Sequence, residues 1–339
     1  MPHIEELGVV TTRSGVLTVI DTGYLNLWSH DHTPLVPPGS LDTEEQTQRA
    51  NSFVDLHLVG QDAERAGVLL DMSWHPSYLY DQPPEHPELQ SKLDQLVGKH
   101  KLDAHFEVIN PRISHRQRVD FALAHGKGAG EVQFHGIWAC VVSGVPKTQP
   151  LKVLGLRSAN AADRWKRVWV ECIQKAPVVR SEKVGFVGVD YARLLIVDVD
   201  ALGMWRHEES CDGMADFVFW GRDAERAASA LHVPALSDSQ FGWLNLPEEA
   251  AQEHGLAVQA YRDDNSLKFA VDFRPHSDHW RVMTPTRSSS TESASVDLDG
   301  VTICNFMTTW GDGVFEVYRD LSESGELVAI RIELEQAVA

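Results

Sequence analysis

Three stretches of this 339-residue chain bring side chains capable of chemistry close together. The densest is Arg274-Pro275-His276-Ser277-Asp278-His279-Trp280. His276, Asp278 and His279 offer imidazole and carboxylate donors, the types that hold a divalent metal and handle the proton of a bound water. On an extended chain His276 and Asp278 face one way and His279 the other. One metal site here therefore needs a bend, which Pro275 can supply, and a ligand from elsewhere; the alternative is a hydrogen-bonded turn carrying exposed histidines. The second stretch is Trp28-Ser29-His30-Asp31-His32, in which His30 and His32 share one face of an extended strand and suit two metal ligands or an acid/base pair. The third, Trp310-Gly311-Asp312-Gly313, sets an aspartate between two glycines at a turn, where it is open to a ligand. The expected catalytic residues are thus His276, Asp278, His279 and Asp312, and the expected metal ligands His276, His279, His30 and His32. No cofactor is firmly implied; the one these residue types admit is a divalent metal.

Other chemistries lack their residues. Gly126-Lys127-Gly128-Ala129-Gly130 has neither the spacing of a phosphate-binding loop nor a helix expected after it, and no nucleophile elbow occurs. A formal net charge of −19 argues against nucleic acid as a partner. It suits a solvated acidic surface or a field that steers a basic protein. No apolar run is long enough to span a membrane. The start, Met1-Pro2-His3-Ile4-Glu5-Glu6, lacks the basic and apolar regions of a signal peptide. Cys140, Cys172, Cys211 and Cys304 are widely spaced, as for reduced structural thiols. The expected location is the cytoplasm.

The elements that must position these residues come in two sets. Leu17, Asp21, Leu25, Trp28 and His30 recur in order as Leu194, Asp198, Leu202, Trp205 and His207. Next, Asp-Ala-Glu-Arg-Ala is identical at 62–66 and 223–227, each time after a strand-like run ending in Gly60 or Gly221, with Asp62 or Asp223 expected to cap a short helix. Weaker correspondences pair Pro111 with Pro275, His115 with His279, and Gly136 with Gly313. The last is followed by strand-like runs Ile137–Val142 and Val314–Tyr318, and each set closes on a strand, Leu151–Arg157 or Leu327–Leu334. Thr33–Gln48 is then an insertion in the first copy, expected as a surface loop. Recurrence in fixed order predicts an internal duplication, with units 6–176 and 177–339.

Alternating apolar residues predict strands over Gly8–Arg13 and Gly15–Asp21, paired as a hairpin or lying side by side, and over Phe53–Val59, Phe106–Ile109, Val119–Leu123 and Glu131–Val142. In the second copy they predict Val184–Val189, Arg193–Asp198, Asp216–Trp220, Ala257–Tyr261, Lys268–Phe273, His279–Met283 and Val301–Met307. Helical spacing predicts Pro87–Val97, Ala159–Ile173, Asp223–Leu231 and Pro247–His254. The expected class is α+β: two tandem copies of a mainly antiparallel β-rich unit with a few short helices.

Gly15-x-Leu17-x-Val19-x-Asp21 and Gly311-Asp312-Gly313-x-Phe315-x-Val317-Tyr318 resemble the early G-x-L-x-[VI]-x-D strand and terminal G-D-G-[FY]-x-V-[YF] hairpin of a group of bacterial proteins of unknown function. The resemblance implies a bacterial source and no particular activity. The expected function is a non-catalytic binding protein, such as a toxin antidote or immunity-type protein, that recognises a protein partner or small ligand where the units meet. The alternative is a metal-dependent hydrolase with its His/Asp site in the second unit.

Overall fold

A computed structural model describes residues 3–36, 38, 43–72, 77–147 and 149–335. Among these, the chain forms nineteen strands and seven α-helices, with every strand pairing antiparallel. The class is therefore α+β and rich in β-structure. No helix among the described residues is long and apolar enough to cross a membrane.

The first half runs β1 (Ile4–Val10), β2 (Val16–Asp21), a 3-10 turn (Thr22–Leu27), α1 (Glu44–Asn51), β3 (Val54–Val59), α2 (Ala63–Leu69), β4 (Tyr78–Gln82), α3 (Pro87–His100), β5 (His105–Ile109), α4 (His115–His125), β6 (Ala129–Phe134), β7 (Ile137–Ser143), β8 (Leu151–Arg157) and β9 (Trp165–Glu171). The second half runs β10 (Arg180–Val189), β11 (Arg193–Asp198), a 3-10 turn (Ala201–Met204), β12 (Met214–Trp220), α5 (Ala224–Leu231), β13 (Ala235–Ser237), β14 (Gln240–Pro247), α6 (Glu248–Asp264), β15 (Ala270–Pro275), α7 (Asp278–Ser288), β16 (Ser293–Leu298), β17 (Val301–Met307), β18 (Gly313–Leu321) and β19 (Leu327–Glu333). Apart from α1 and β13, strand follows strand and helix follows helix in the same order.

The compact units do not fall at the 176/177 join. One comprises Met1–Met204 with Thr286–Ala339, the other Trp205–Pro285. In the first unit, two six-stranded sheets draw equally on both halves of the chain, in the orders β1-β8-β9-β19-β18-β10 and β16-β17-β11-β2-β7-β6. They pack face to face on a core that includes Leu17, Val19, Trp165, Leu194, Ile196, Phe306 and Phe315. A smaller sheet, β4-β3-β5, packs with α2 and α3 around Leu58, Ala66 and Leu93. The second unit is the sheet β13-β14-β12-β15, with α5 and α6 on a phenylalanine-rich core around Phe217 and Phe219.

The two large sheets are tied together by buried carboxylates at equivalent places. Asp21, at the end of β2, accepts from the backbone N–H groups of Asp190 (2.7 Å) and Tyr191 (3.0 Å) between β10 and β11. Asp198, at the end of β11, accepts from those of Arg13 (2.7 Å) and Ser14 (2.9 Å) between β1 and β2, and from both their neighbouring hydroxyls, Thr12 and Ser14. Each half thus holds the other's turn. A second pair of contacts lies at the edges: Glu131 of β6 accepts from Phe186 N (2.5 Å), and Ser295 of β16 accepts from Val9 N (2.7 Å). Both side chains lie under bulges at Gly185 and Gly8, where an added Cβ would stand 2.0 and 2.2 Å from them.

Several expectations are corrected. Strands β1 and β2 are consecutive but lie in different sheets, so they form no hairpin. Val119–Leu123 lies in α4, which starts with a capping box between Ser114 and Gln117. Ala159–Ile173 is not a helix: it contains β9, whose register slips between Leu156 and Arg157 of its neighbour, so that Trp165 and Val168 share a face at a spacing that imitates a helical turn. Ala257–Tyr261 lies in α6, whose buried residues Ala251, Gly255 and Val258 follow helical spacing, and His279–Met283 lies in α7. Within Thr33–Gln48, helix α1 begins at Glu44, while residues 37 and 39–42 lie outside the described set. Asp62 and Asp223 do not cap their helices; they accept from the backbone N–H groups of Asp103 (3.0 Å) and Lys268 (2.8 Å). Gly136 (φ +81°) sits in the β6–β7 turn and Gly300 (φ +76°) in the β16–β17 turn, whereas Gly313 opens β18. The matching of Gly136 with Gly313 is displaced by one strand, as is that of the closing strands.

Removal of either buried acceptor strands the backbone donors of the turn between the first two strands of the opposite half. Asp198→Ala is expected to cost on the order of 3 kcal/mol of unfolding free energy, and Asp198→Asn, which keeps one acceptor, clearly less. Denaturant unfolding of the two variants beside the parent protein measures this.

Candidate functional site

In the second unit, His276 follows the last residue of β15 and turns back onto two carboxylates. Its Nδ1 lies 3.0 Å from Asp212 Oδ2 and its Nε2 3.2 Å from Asp216 Oδ1. A carboxylate only accepts, so both ring nitrogens donate and the ring is held as the imidazolium. Burial opposes this charge, but the hydrogen bonds to Asp212 and Asp216 outweigh it and raise the His276 pKa above the ordinary histidine value. The same contact lowers that of Asp212. Held this way, His276 has no lone pair to give a metal.

Asp278 is occupied as well. Its Oδ2 accepts from Arg206 N (2.9 Å) and its Oδ1 from the Arg281 guanidinium (3.0 Å), while its own N–H donates to Arg206 O (2.9 Å). The ring of His279 stacks on that of His207 at 4.3 Å, and the Trp205 indole bonds His207 Nδ1 (3.1 Å). The expected His276–Asp278–His279 metal set is therefore not assembled: His276 lies before α7, Asp278 begins it, and the three side chains meet different partners. Among the described residues no group of three His, Cys, Asp or Glu side chains is placed to hold a metal ion.

The predicted residues of the first unit part in the same way. His30 has φ +47° and the N–H of His32 bonds Ser29 O (2.9 Å), so this stretch is a turn rather than a strand. His30 pairs with Asp31 (2.8 Å) and lies against Gly203, whereas His32 is exposed; they do not form a ligand pair. Asp312 Oδ1 accepts from Ala192 N (3.0 Å), so the aspartate of the G-D-G turn steadies the β10–β11 turn.

What the sequence did not reveal is a buried ionic cluster at the start of α4. Arg118, with no exposed side-chain surface, bonds Asp81 (2.7 and 2.9 Å) and Asp55 (3.2 and 3.3 Å), and its guanidinium lies 4.3 Å over the Tyr80 ring. Arg112 adds a contact to Asp81 (3.0 Å) and one to Pro34 O. Burial alone would raise the Asp81 pKa, but the Arg118 charge and hydrogen bonds hold it well below the usual carboxylate range. Two histidines complete the group. His115 is fully buried and stays neutral, its Nδ1 accepting from Ser29 N (3.0 Å). His135 is lowered to about 4, chiefly by burial, and its backbone N–H donates to Asp81 Oδ2 (2.7 Å).

The second unit has the corresponding backbone without the Asp81–Arg118 pair. There Asp216 accepts from Asn245 N (2.8 Å) as Asp55 accepts from Asp81 N (2.9 Å), and Asn245 (φ +55°) and Asp81 (φ +52°) are both left-handed. Three residues beyond His279 stands Val282, where Arg118 stands three beyond His115. Acid and arginine are absent together. The readable signals for the cluster were the Ser114–Gln117 capping box and an aspartate, Asp55, amid the apolar residues of a strand.

Asp81 also fixes one wall of a cleft of about 340 Å3. That wall is the β6–β7 turn, held through His135 N, and it continues into Ile137 and Trp138. The other wall is the end of β10 and the start of β18, with Val189, Asp190, Asp312 and Val314, held by Asp21 and Asp312. Tyr24 lies between the walls and donates its hydroxyl to Asp190 (2.5 Å). Burial and Asp190 both raise the Tyr24 pKa, so the phenol stays protonated. A larger depression, of about 590 Å3, covers the outer face of the first sheet, but its arginines are already paired, Arg331 with Asp320 and Arg167 with Glu333. In comparison with known proteins, no family model, no curated protein and no solved structure matches this chain.

Arg118→Val alone leaves Asp55 buried without a cation and Asp81 with Arg112 only, and a loss of roughly 3–5 kcal/mol is expected. Adding Asp81→Asn, which copies the neutral pair of the second unit, is expected to restore more than half of it in denaturant unfolding. The histidines predict opposite pH responses. His115 and His135 titrate lower when folded than at the unfolded value of ~6.5, so their neutral burial is destabilising progressively as pH falls from there towards about 4. His276 titrates higher when folded, so its contribution is complete below ~6.5 and is lost as pH rises through the raised value. Hydrogen exchange is expected to show α4 and β6 loosening on acidification and β12 and β15 loosening on alkalinisation, the latter response vanishing in His276→Gln.

Proposed function

We propose that the chain is a non-catalytic binding protein, built by duplication of one β-rich unit, that receives its partner in the cleft between Trp138 and Val314. The observation that carries this reading is that both walls of the cleft are turns fixed in advance by carboxylates, Asp81 on one side and Asp21 with Asp312 on the other. A site whose backbone is already ordered loses little conformational entropy when it binds. Of the side chains expected to do chemistry, His276, Asp278 and Asp312 each spend at least one polar atom in holding a turn or helix start. Tyr24 and Trp138 come from the first half of the chain, Asp190, Asp312 and Val314 from the second, so the cleft lies where the two halves meet.

The duplication is supported by the common order of elements, the mirrored strand orders of the two large sheets, and the reciprocal Asp21 and Asp198 contacts. On this reading the copies run from β1 to β9 and from β10 to β19. An acidic antidote to a basic protein is the version that the charge of −19 favours. A cytoplasmic setting accords with four free cysteines.

Val314 is 44% exposed, so Val314→Trp fills the cleft without entering the core. The parent protein is expected to retain a stable partner from a lysate of its source cells, and Val314→Trp to lose it with an unchanged melting temperature. Turnover of a metabolite by the parent protein, with no partner retained, contradicts the proposal.

A further inference from the structure

Among the described residues, the lining of the cleft carries two carboxylates and no lysine, arginine or histidine. Both carboxylates are half used. Asp190 Oδ2 accepts from the Tyr24 hydroxyl and Asp312 Oδ1 from Ala192 N, and among the described residues neither side chain has a cationic partner. Their remaining oxygens stand beside an apolar floor made by Ile137, Trp138, Val189 and Val314, with the Tyr24 ring, itself packed edge-on against Tyr191 at 5.2 Å. Exposed anions above aromatic and aliphatic surface fit a cation with a flat or apolar body.

The other half of the first unit indicates which cation. Asp198 holds Arg13 N and Ser14 N just as Asp21 holds Asp190 N and Tyr191 N, so Arg13 stands where Asp190 stands. The β16–β17 turn with Gly300 correspondingly stands where the β6–β7 turn with Gly136 stands. At the first of these places the guanidinium of Arg13 lies on the turn: an added Cβ on Gly300 would come within 2.4 Å of Arg13 Nη2, and Arg13 Nη1 lies 3.8 Å from Asp299. At the second, among the described residues nothing approaches within 4 Å of the corresponding position on Gly136. The chain lays its own arginine on one of two related places; on the other, the described residues place acids at the rim and no cation.

Building on the binding reading above, we infer that the cleft receives the guanidinium of an arginine side chain presented by a protein partner, between Asp190 and Asp312 and against Trp138. A planar guanidinium can bond two carboxylates at once while stacking on a ring, which an ammonium does less well. The net charge of −19 favours approach of a basic protein.

The test titrates the intact protein with acetyl-Gly-Arg-Gly-amide and with its neutral citrulline counterpart, following the Trp138 indole resonance. The arginine peptide is expected to shift that resonance saturably below about 20 mM, a weak affinity suited to one side chain. Asp190→Asn and Asp312→Asn, which keep acceptors for Tyr24 and Ala192, are each expected to weaken it at least about fivefold. The citrulline peptide is expected to leave the resonance unmoved. Equal binding of the two peptides, abolished by Val314→Trp, overturns the arginine inference while leaving the cleft as a binding site. Methylguanidinium binding as tightly as the peptide overturns the protein partner as occupant. No shift with any probe, together with partner capture undiminished in Val314→Trp, overturns both the inference and the reading beneath it.

Discussion

A backbone N–H taken out of water must find an acceptor, and at two crowded turns of this fold the acceptor is a carboxylate from the opposite half of the chain. Asp21 and Asp198 are almost wholly buried at the ends of the adjacent central strands β2 and β11. Each reaches across to the turn that joins the other half's first two strands, one in each large sheet. A single side chain thereby fixes where the chain leaves one sheet and enters the other. A charged acceptor taking several N–H groups is among the stronger hydrogen-bond arrangements. The face-to-face packing of the sheets, the course of β10 and the position of Asp190 all depend on it.

The ionic cluster beneath α4 solves a related problem at higher electrostatic cost. The left-handed residue at Asp81 pushes a backbone N–H inwards, where Asp55 accepts it, and the second unit meets the same need with Asp216 and Asn245. With an aspartate in place of the asparagine, a second carboxylate is buried, and only Arg118 and Arg112 make that tolerable. The gain is reach: a carboxylate has lone pairs to spare, and Asp81 uses one on His135 N to hold the β6–β7 turn. The extra charge serves the wall of the cleft. In the second unit His276 meets Asp216 instead, a neutralisation that is itself sensitive to pH.

Residues rich in chemical potential thus divide by their surroundings. His276, Asp278 and Asp312 have the types that metal or acid/base chemistry uses, yet each has at least one polar atom bound to a turn or helix start. Asp190, a residue without any motif around it, keeps a carboxylate oxygen towards open space beside Tyr24 and Trp138. Chemical type at short spacing says what a residue is able to do; its partners decide what remains for it to do.

The sequence by itself determined the local content where neighbours in the chain carry the physics. Apolar alternation marked β2, β3, β11 and β17, helical spacing marked α3 and α5, and the recurrence of Asp21 as Asp198 marked a shared requirement without disclosing it. Local patterns failed where a contact distant in the chain set the outcome. Trp165 and Val168 have helical spacing, but a slip of register against β8 turns them to one side of a strand. Val119–Leu123 reads as a strand only while the Ser114 cap is ignored. The partners of His276 lie 64 and 60 residues earlier in the chain, and those of Arg118 63 and 37 earlier. Nothing in short-range spacing encodes such meetings, because they are fixed by which strands pair and in what register. That pairing is a property of the assembled sheets, and it alone decided which carboxylates are consumed and which are left facing a cleft.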